Sequence, residues 1–221
     1  MAIWKGDKMN KISIPKYTLG EELVNSISHG IGAGLSIAAL VLCLVKANNA
    51  YSIVSTAIYG SIMIVLYVIS CIYHALSPRI KGKKVLRVID HCNVFLMLAG
   101  TYMPICLSLL NGTLGWIVFS IVWIITIIAI ILNGINVDKY QLASVICHLL
   151  LGWGSLMIIN PLIKASSLHA VLILITGGIL YTVGSIIYGL GRKIPYMHSV
   201  FHFFVIGGSI FHFFFIYLYC I

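Results

Sequence analysis

The sequence predicts an all-α integral membrane protein with seven transmembrane helices. Of its 221 residues, 61% are hydrophobic and only 9% are charged, whereas about a quarter of the residues in a soluble globular domain are charged. The apolar residues fall into seven segments, and each approaches the roughly 20 residues that a helix needs to cross a bilayer. We therefore expect a basic tail over residues 1–18 and one membrane domain over residues 19–221.

Capping residues and prolines mark the ends and the irregularities of the predicted helices. Thr18-Leu-Gly-Glu21 fits a capping box, which predicts that the first helix begins near residue 19. Pro104 predicts a kink in the third helix, Asn160-Pro161 ends the fifth, and Pro195 suits the first turn of the seventh. The apolar segments run from about 23 to 45, 51 to 76, 88 to 110, 116 to 132, 140 to 159, 168 to 190, and 195 to the C-terminus.

The distribution of lysine and arginine predicts the orientation in the membrane. With a cytoplasmic N-terminus, twelve basic residues lie on the cytoplasmic side and two lie on the other side. Basic residues accumulate on the cytoplasmic side of membrane proteins, so we expect a multi-pass protein of the cell membrane with its N-terminus inside and its C-terminus outside. The twelve are Lys5, Lys8, Lys11, Lys16, Arg79, Lys81, Lys83, Lys84, Arg87, Lys139, Arg192 and Lys193; the two are Lys46 and Lys164.

Composition also excludes several classes of function. The net charge of +9 would suit nucleic acid, but the charges lie in loops, where they set orientation. The six cysteines lie in or beside apolar segments without paired spacings in loops, so a disulfide scaffold is not expected. We expect membrane lipids as partners and no nucleic acid, and the sequence leaves the oligomeric state open.

A cluster of ionisable residues indicates a functional site. His198 and His202 lie four residues apart in the last segment, so both imidazoles lie on one helix face and can bind one metal ion. Histidine and aspartate inside apolar segments are rare and are usually functional. His74, Asp90, His198 and His202 all lie within nine residues of a basic residue at the cytoplasmic edge. Ser70 lies one turn beyond His74 on the same face.

Three histidines, a carboxylate and a hydroxyl at one depth describe a divalent metal site, and imidazole ligands favour Zn²⁺. Ligation by His74, His198 and His202 would leave the fourth position for water, which is the pattern of a catalytic zinc site. Zinc would lower the pKa of that water towards about 7. Asp90 could orient the water or accept its proton, and Ser70 could bond to the water or to a substrate carbonyl.

The same residues also allow a purely structural interpretation. Asp90 could pair with Arg87 or Lys84 at the membrane surface, while His74 caps a helix end. Glu22, Asn25 and His29 form one stripe of the first helix, and this stripe could support the metal site or simply pack against another helix.

Three other residues are assigned outside the site, and a fourth is left open. His91 and Cys92 flank Asp90 on other faces of the helix, so we expect them to pack. His148 lies near the middle of the bilayer and is ambiguous, and His212 lies about 15 Å further along the helix than His202.

These motifs together resemble the hemolysin III family, the bacterial branch of the progestin and adipoQ receptors. The resemblance rests on Ser70-x-x-x-His74, Asp90-His91, His198-x-x-x-His202 and Glu22-x-x-Asn25-x-x-x-His29. It implies seven helices with the N-terminus inside. It also implies zinc held by the three histidines, with Asp90 contacting the metal through water. The wider superfamily is proposed to include metal-dependent membrane hydrolases such as alkaline ceramidases.

Three hypotheses for the function follow. The first is a zinc-dependent hydrolase, similar to a ceramidase, that cleaves a lipid amide or ester at the cytoplasmic leaflet with zinc-bound water as the nucleophile. The second is a cytolysin that permeabilises membranes, although no predicted helix has the continuous polar face of a pore. The third is a sensor of membrane lipid composition in which zinc is structural. The sequence does not select a substrate.

Overall fold

The computed structural model describes residues 12–191 and 194–221 and confirms the all-α fold. Within this part of the chain, seven helices are long and apolar enough to span a membrane. The predicted tail lies outside the described residues up to residue 11, as do Arg192 and Lys193. The spans are α1 Leu19–Lys46, α2 Ala50–Ala75, α3 Gly82–Leu110, α4 Gly112–Asn136, α5 Gln141–Ala165, α6 Leu168–Leu190 and α7 Met197–Cys220.

The first helix begins where the capping box predicts. The Thr18 side chain accepts a hydrogen bond from the backbone N–H of Glu21, and the Glu21 carboxylate accepts one from the backbone N–H of Thr18. This reciprocal pair satisfies two donors that would otherwise have no partner at the helix end. The second helix has a similar reciprocal cap, formed by Asn49 and Ser52.

The third helix begins earlier than its hydropathy predicts and changes geometry at its proline. It starts at Gly82 rather than near residue 88, because Lys83 and Arg87 are buried and paired rather than exposed in a loop. The α-helix ends at Pro104 and continues as a π-helix over Ile105–Leu110. A wider helical turn after proline is consistent with the ring's clash with the preceding turn.

Two further predicted boundaries are wrong. The fifth helix does not end at Pro161: it passes through a 3₁₀ segment, Gly154–Ile158, and resumes as Ile159–Ala165. Pro161 is tolerated because it lies in the first turn of the resumed helix, where backbone N–H groups have no partner within the helix. The seventh helix begins at Met197 rather than Pro195, after Tyr196 adopts a left-handed conformation with φ of 63°.

The helices pack so that α1, α2 and α7 contact one another. Contacts join α1 to α2, α6 to α7, α2 to α3 and α3 to α4, and α7 returns to contact α1. The third helix is the most buried of the seven spans. The outer faces are apolar, as on α4, where Ile121, Ile128 and Ile131 are each more than half exposed, as a lipid-facing surface requires.

Candidate metal site

The side chains of His74, His198 and His202 converge at one point between α2 and α7. Nε2 of His198 lies 3.4 Å from Nε2 of His74 and 3.2 Å from Nε2 of His202. One ligand nitrogen from each of the three residues lies within 4.8 Å of the others. All three side chains are buried, with 2%, 8% and 1% of His74, His198 and His202 exposed. Helix α7 supplies two of them because a four-residue spacing keeps both on one face.

The spacing of these nitrogens fits a tetrahedral metal ion. Four ligands at about 2.0–2.1 Å from Zn²⁺ lie about 3.3–3.4 Å from one another, close to the two measured Nε2 separations. Three imidazoles with converging nitrogens are also a donor set that suits zinc, copper, iron and nickel. The buried cluster of His74, His198 and His202 could therefore hold a metal ion.

The orientation of His74 is set by Glu22 on α1. The Glu22 carboxylate lies 2.6 Å from Nδ1 of His74 and 2.5 Å from Nζ of Lys83. A carboxylate only accepts, so Nδ1 of His74 carries the proton, and Nε2 keeps its lone pair for a metal. Asn25 approaches the same Nδ1 at 3.4 Å. Lys83 is fully buried and also donates to the backbone oxygen of Leu76 at 2.7 Å.

The orientation of His202 is set by Ser28, also on α1. The Ser28 hydroxyl donates to the backbone oxygen of Asn25 at 3.0 Å, and its oxygen lies 3.4 Å from Nδ1 of His202. Since the hydroxyl proton is used by Asn25, Nδ1 of His202 is the donor, and Nε2 again keeps its lone pair. The lone pairs of His74 and His202 therefore both face the common point, beside Nε2 of His198.

His29 packs directly against the site without pointing a nitrogen at it. Its ring stacks on His202 with centroids 3.7 Å apart and meets Tyr67 edge-on at 5.0 Å. It is 4% exposed, and neither ring nitrogen has a hydrogen-bond partner among the described residues. His29 therefore serves as an aromatic support of His202 and lines the cavity beside the site.

The segment before α1 folds over the site at the N-terminal end of α7. The Tyr17 ring stacks on His198, with centroids 4.8 Å apart. Burial, followed by the nearby hydroxyl and carboxylate groups, raises the pKa of Tyr17 above its ordinary value, so the phenol stays neutral. Upstream, the backbone oxygen of Ser13 accepts a hydrogen bond from Arg87 at 2.5 Å, and Arg87 pairs with Asp138 at 2.7 Å.

Ser70 and Asp90 line a cavity that opens beside the histidines. The cavity has a volume of about 150 Å³, and its lining also includes His198 and His202. Ser70 is buried and Asp90 is partly buried. The pairing of Asp90 with Arg87 that the structural interpretation considered does not form, because Arg87 pairs with Asp138.

The cavity is long and largely apolar. Along α7 its lining extends from His198 to His212, a separation of about 21 Å at 1.5 Å per residue. Between the two ends it is lined by apolar side chains, including Phe95, Leu98 and Val205. An elongated cavity with apolar walls and polar groups beside the histidines suits a chain molecule with a polar head.

Sequence reasoning missed several residues around the site. His91 was expected to pack away from the site, but it lines the cavity, with Nε2 lying 3.1 Å from the Tyr188 hydroxyl. Ser28 lies three residues after Asn25 on α1, so helical spacing could have placed it beside the stripe of Glu22, Asn25 and His29. Lys83 and Arg87 were counted as loop charges, although their four-residue spacing indicates one helix face.

Comparison of the sequence with known proteins identifies relatives of this chain. A model of haemolysin-III related proteins matches residues 17–213. The chain is 39% identical over 208 residues to the hemolysin-3 homolog of Bacillus subtilis (strain 168), covering 93% of this chain and 97% of that protein. It is 39% identical over 197 residues to hemolysin-3 of Bacillus cereus, covering 88% and 89%. It is 21% identical over 211 residues to the Homo sapiens monocyte to macrophage differentiation factor, covering 92% and 86%.

Proposed function

This chain belongs to the haemolysin-III related family, within the progestin and adipoQ receptor superfamily, and from that premise we propose that it is a zinc-dependent lipid hydrolase. The observation that carries the proposal is the buried triad of His74, His198 and His202, with one ring nitrogen of each residue directed to one point. Three protein ligands leave one coordination position free, as in catalytic zinc sites.

The residues around the triad support a hydrolytic mechanism. Bound zinc supplies a Lewis acid that polarises a carbonyl and lowers the pKa of a coordinated water to about 7. Glu22 and Ser28 hold His74 and His202 in the tautomer that can ligate. Asp90 accepts a proton from the attacking water and returns it to the departing amine or alcohol, and Ser70 donates a hydrogen bond to the substrate carbonyl.

The cavity supports a lipid as the substrate. Its apolar walls extend from the histidines towards the middle of the membrane, so an acyl chain placed there would bury apolar surface. The scissile amide or ester of such a lipid would then lie beside the three histidines, as in a ceramidase-like amidase.

We also propose that the site faces the cytoplasmic leaflet, with the N-terminus inside and the C-terminus outside. The excess of basic residues at one end supports this orientation. Alkaline phosphatase fused to the C-terminus tests this orientation, since alkaline phosphatase is active only outside the cytoplasm. We expect an active fusion at the C-terminus and an inactive one in the loop over residues 76–81, which lies on the opposite side of the membrane. An inactive C-terminal fusion beside an active one in that loop would reverse the orientation.

Metal analysis combined with a lipid hydrolysis assay tests the function. We expect purified wild-type protein to contain one zinc ion and to release fatty acid from ceramide or a related lipid. His202→Ala should lose both properties, whereas His169→Ala should retain both, because His169 is exposed and contacts Tyr219 away from the site. Lipid turnover that survives His202→Ala would refute the proposal.

Liposome lysis separates this function from direct permeabilisation. The name hemolysin-3 belongs to a relative of this chain, and a hydrolase could lyse cells by altering their lipids. We expect no release of dye from vesicles made of a lipid that the enzyme does not cleave. Dye release that is equal for wild type and His202→Ala would favour the cytolysin.

A further inference from the structure

We call the end of the cavity at His212 its inner end; it lies about 15 Å along α7 from His202. This end contains polar groups that the hydrolase mechanism does not use. His148 on α5 and His212 on α7 both line this end, together with Thr101 and Tyr181. The same four residues line a smaller adjoining cavity of about 40 Å³. Ten residues separate His212 from His202 along α7, which gives the 15 Å at 1.5 Å per residue.

His212 presents a lone pair that has no protein partner. Its Nε2 lies 3.3 Å from the backbone oxygen of Leu174, which can only accept, so Nε2 carries the proton. Nδ1 is therefore an acceptor, and among the residues that the structure describes it has no hydrogen-bond partner. The residue is 7% exposed. A buried acceptor left unpaired is costly, so the site favours an occupant that donates a hydrogen bond.

His148 lines the same end of the cavity and has a second unpaired nitrogen. Its Nδ1 is buried and has no partner within the described part of the chain. No contact fixes its tautomer, so Nδ1 can donate or accept. A group that both donates and accepts satisfies His212 and His148 together, and a hydroxyl is the smallest group of this kind.

The packing around His212 indicates that its position is built into the fold. A Cβ added at Gly177 on α6 would overlap Cδ2 of His212 and lie 2.7 Å from its Nε2. A Cβ at Gly208 would lie 2.9 Å from the ring of Tyr181. Glycine at these two positions therefore leaves the space that both rings occupy.

We propose that the inner end of the cavity is a binding site for a hydroxyl group carried on the acyl chain of the lipid. This inference rests on the proposed function, because it places the reacting carbonyl at the triad. An extended chain advances about 1.2 Å per bond, so about twelve carbons span the 15 Å to His212. The apolar walls contact the carbons between the two polar ends, and the hydroxyl pairs with His212 and His148.

Competitive binding of two fatty acids tests the site. The probes are stearate and hydroxystearate with its hydroxyl on the twelfth carbon, each displacing a fluorescent fatty acid from the purified full chain in detergent. We expect wild type to bind the hydroxylated probe about tenfold more tightly. His212→Phe keeps the ring but removes the acceptor, and should reduce the ratio to about one. His169→Phe, at an exposed site beside Tyr219, should keep the tenfold ratio.

A second variant guards against misfolding of the first. Gly177→Ala changes no polar group but displaces the His212 ring, so it should also abolish the preference. Retained zinc binding shows that each variant is folded. Equal binding of the two probes by wild type, as expected if the site holds only water, overturns this inference alone. If neither probe binds, the acyl-binding cavity of the proposed function fails as well.

Discussion

At the scale of single residues, the site depends on hydrogen bonds that the histidines make on the side away from one another. Glu22 holds Nδ1 of His74, and Ser28 holds Nδ1 of His202. Because each imidazole has one proton when neutral, these bonds direct the Nε2 lone pairs inward. An affinity of this site for a metal ion would therefore depend partly on residues of α1, a helix that supplies none of the three histidines.

Replacing the carboxylate tests this dependence. Glu22→Gln replaces the charged acceptor of His74 by a neutral amide with one acceptor oxygen for two donors, Nδ1 of His74 and Nζ of Lys83. We expect zinc affinity to fall about 10- to 100-fold. The variant also leaves the buried ammonium of Lys83 without its carboxylate, which should destabilise the metal-free protein by about 3–5 kcal/mol. Competition with a zinc chelator measures the first effect, and thermal unfolding measures the second.

A double variant separates the two effects. Glu22→Gln combined with Lys83→Met removes the unpaired charge, so much of the stability should return while zinc affinity stays low. Zinc affinity equal to wild type in either variant would show that Glu22 does not orient His74.

At the scale of elements, close packing depends on glycine where α4 meets the π-helical end of α3. A Cβ at Gly115 would overlap the backbone oxygen of Cys106, and a backbone atom cannot move aside as a flexible side chain can. We expect Gly115→Ala to lower stability by about 1–3 kcal/mol. Gly34→Ala is the matched control, because nothing lies within 4 Å of that position, and alanine should leave stability unchanged or raise it by up to about 1 kcal/mol.

Thermal unfolding in detergent measures both glycine variants. Similar unfolding temperatures for Gly115→Ala and Gly34→Ala would mean that α3 and α4 are not in close contact.

The segment before α1 is an element held by ionic contacts. Burial alone would raise the pKa of Asp138, but hydrogen bonds from Arg87 and Ser13 and the charge of Arg87 lower it below its ordinary value. A lowered pKa contributes stability that is present above the unfolded value of about 3.9 and is lost as the pH falls through the folded value. Asp138→Asn should cost about 2 kcal/mol at pH 7.

The difference in stability between wild type and Asp138→Asn should shrink as the pH falls below about 4. Unfolding temperatures of the two proteins, compared at the same pH, measure this difference. The contributions of other titrating groups are the same in both proteins and cancel. A difference that is constant between neutral and strongly acidic pH would contradict the role of the Asp138 charge.

At the scale of the whole molecule, the sequence predicts the helices and the depth of the histidines because both follow from local spacing. Apolar length predicts seven spans, and the structure confirms them. The four-residue spacing of His198 and His202 places both on one face, and residue counting places His74 at the same depth.

The remaining features depend on contacts between distant parts of the chain. The sequence predicts Lys83 as a loop charge, because its partner Glu22 lies 61 residues away in the chain. Arg87 is buried because Asp138, on the α4–α5 connection, and Ser13, before α1, meet it. Tyr17 contacts His198 only once the N-terminal segment folds back over the bundle. No local pattern in the sequence reports such pairings.

Zinc-edge X-ray absorption spectroscopy of the purified protein tests the central claim most directly. The geometry of His74, His198 and His202 predicts one zinc ion with three imidazole nitrogens and one oxygen at about 2.0–2.1 Å. Protein without bound metal after purification and zinc loading would contradict the account. A spectrum dominated by sulfur ligands, or by a shell of six oxygens, would contradict it equally.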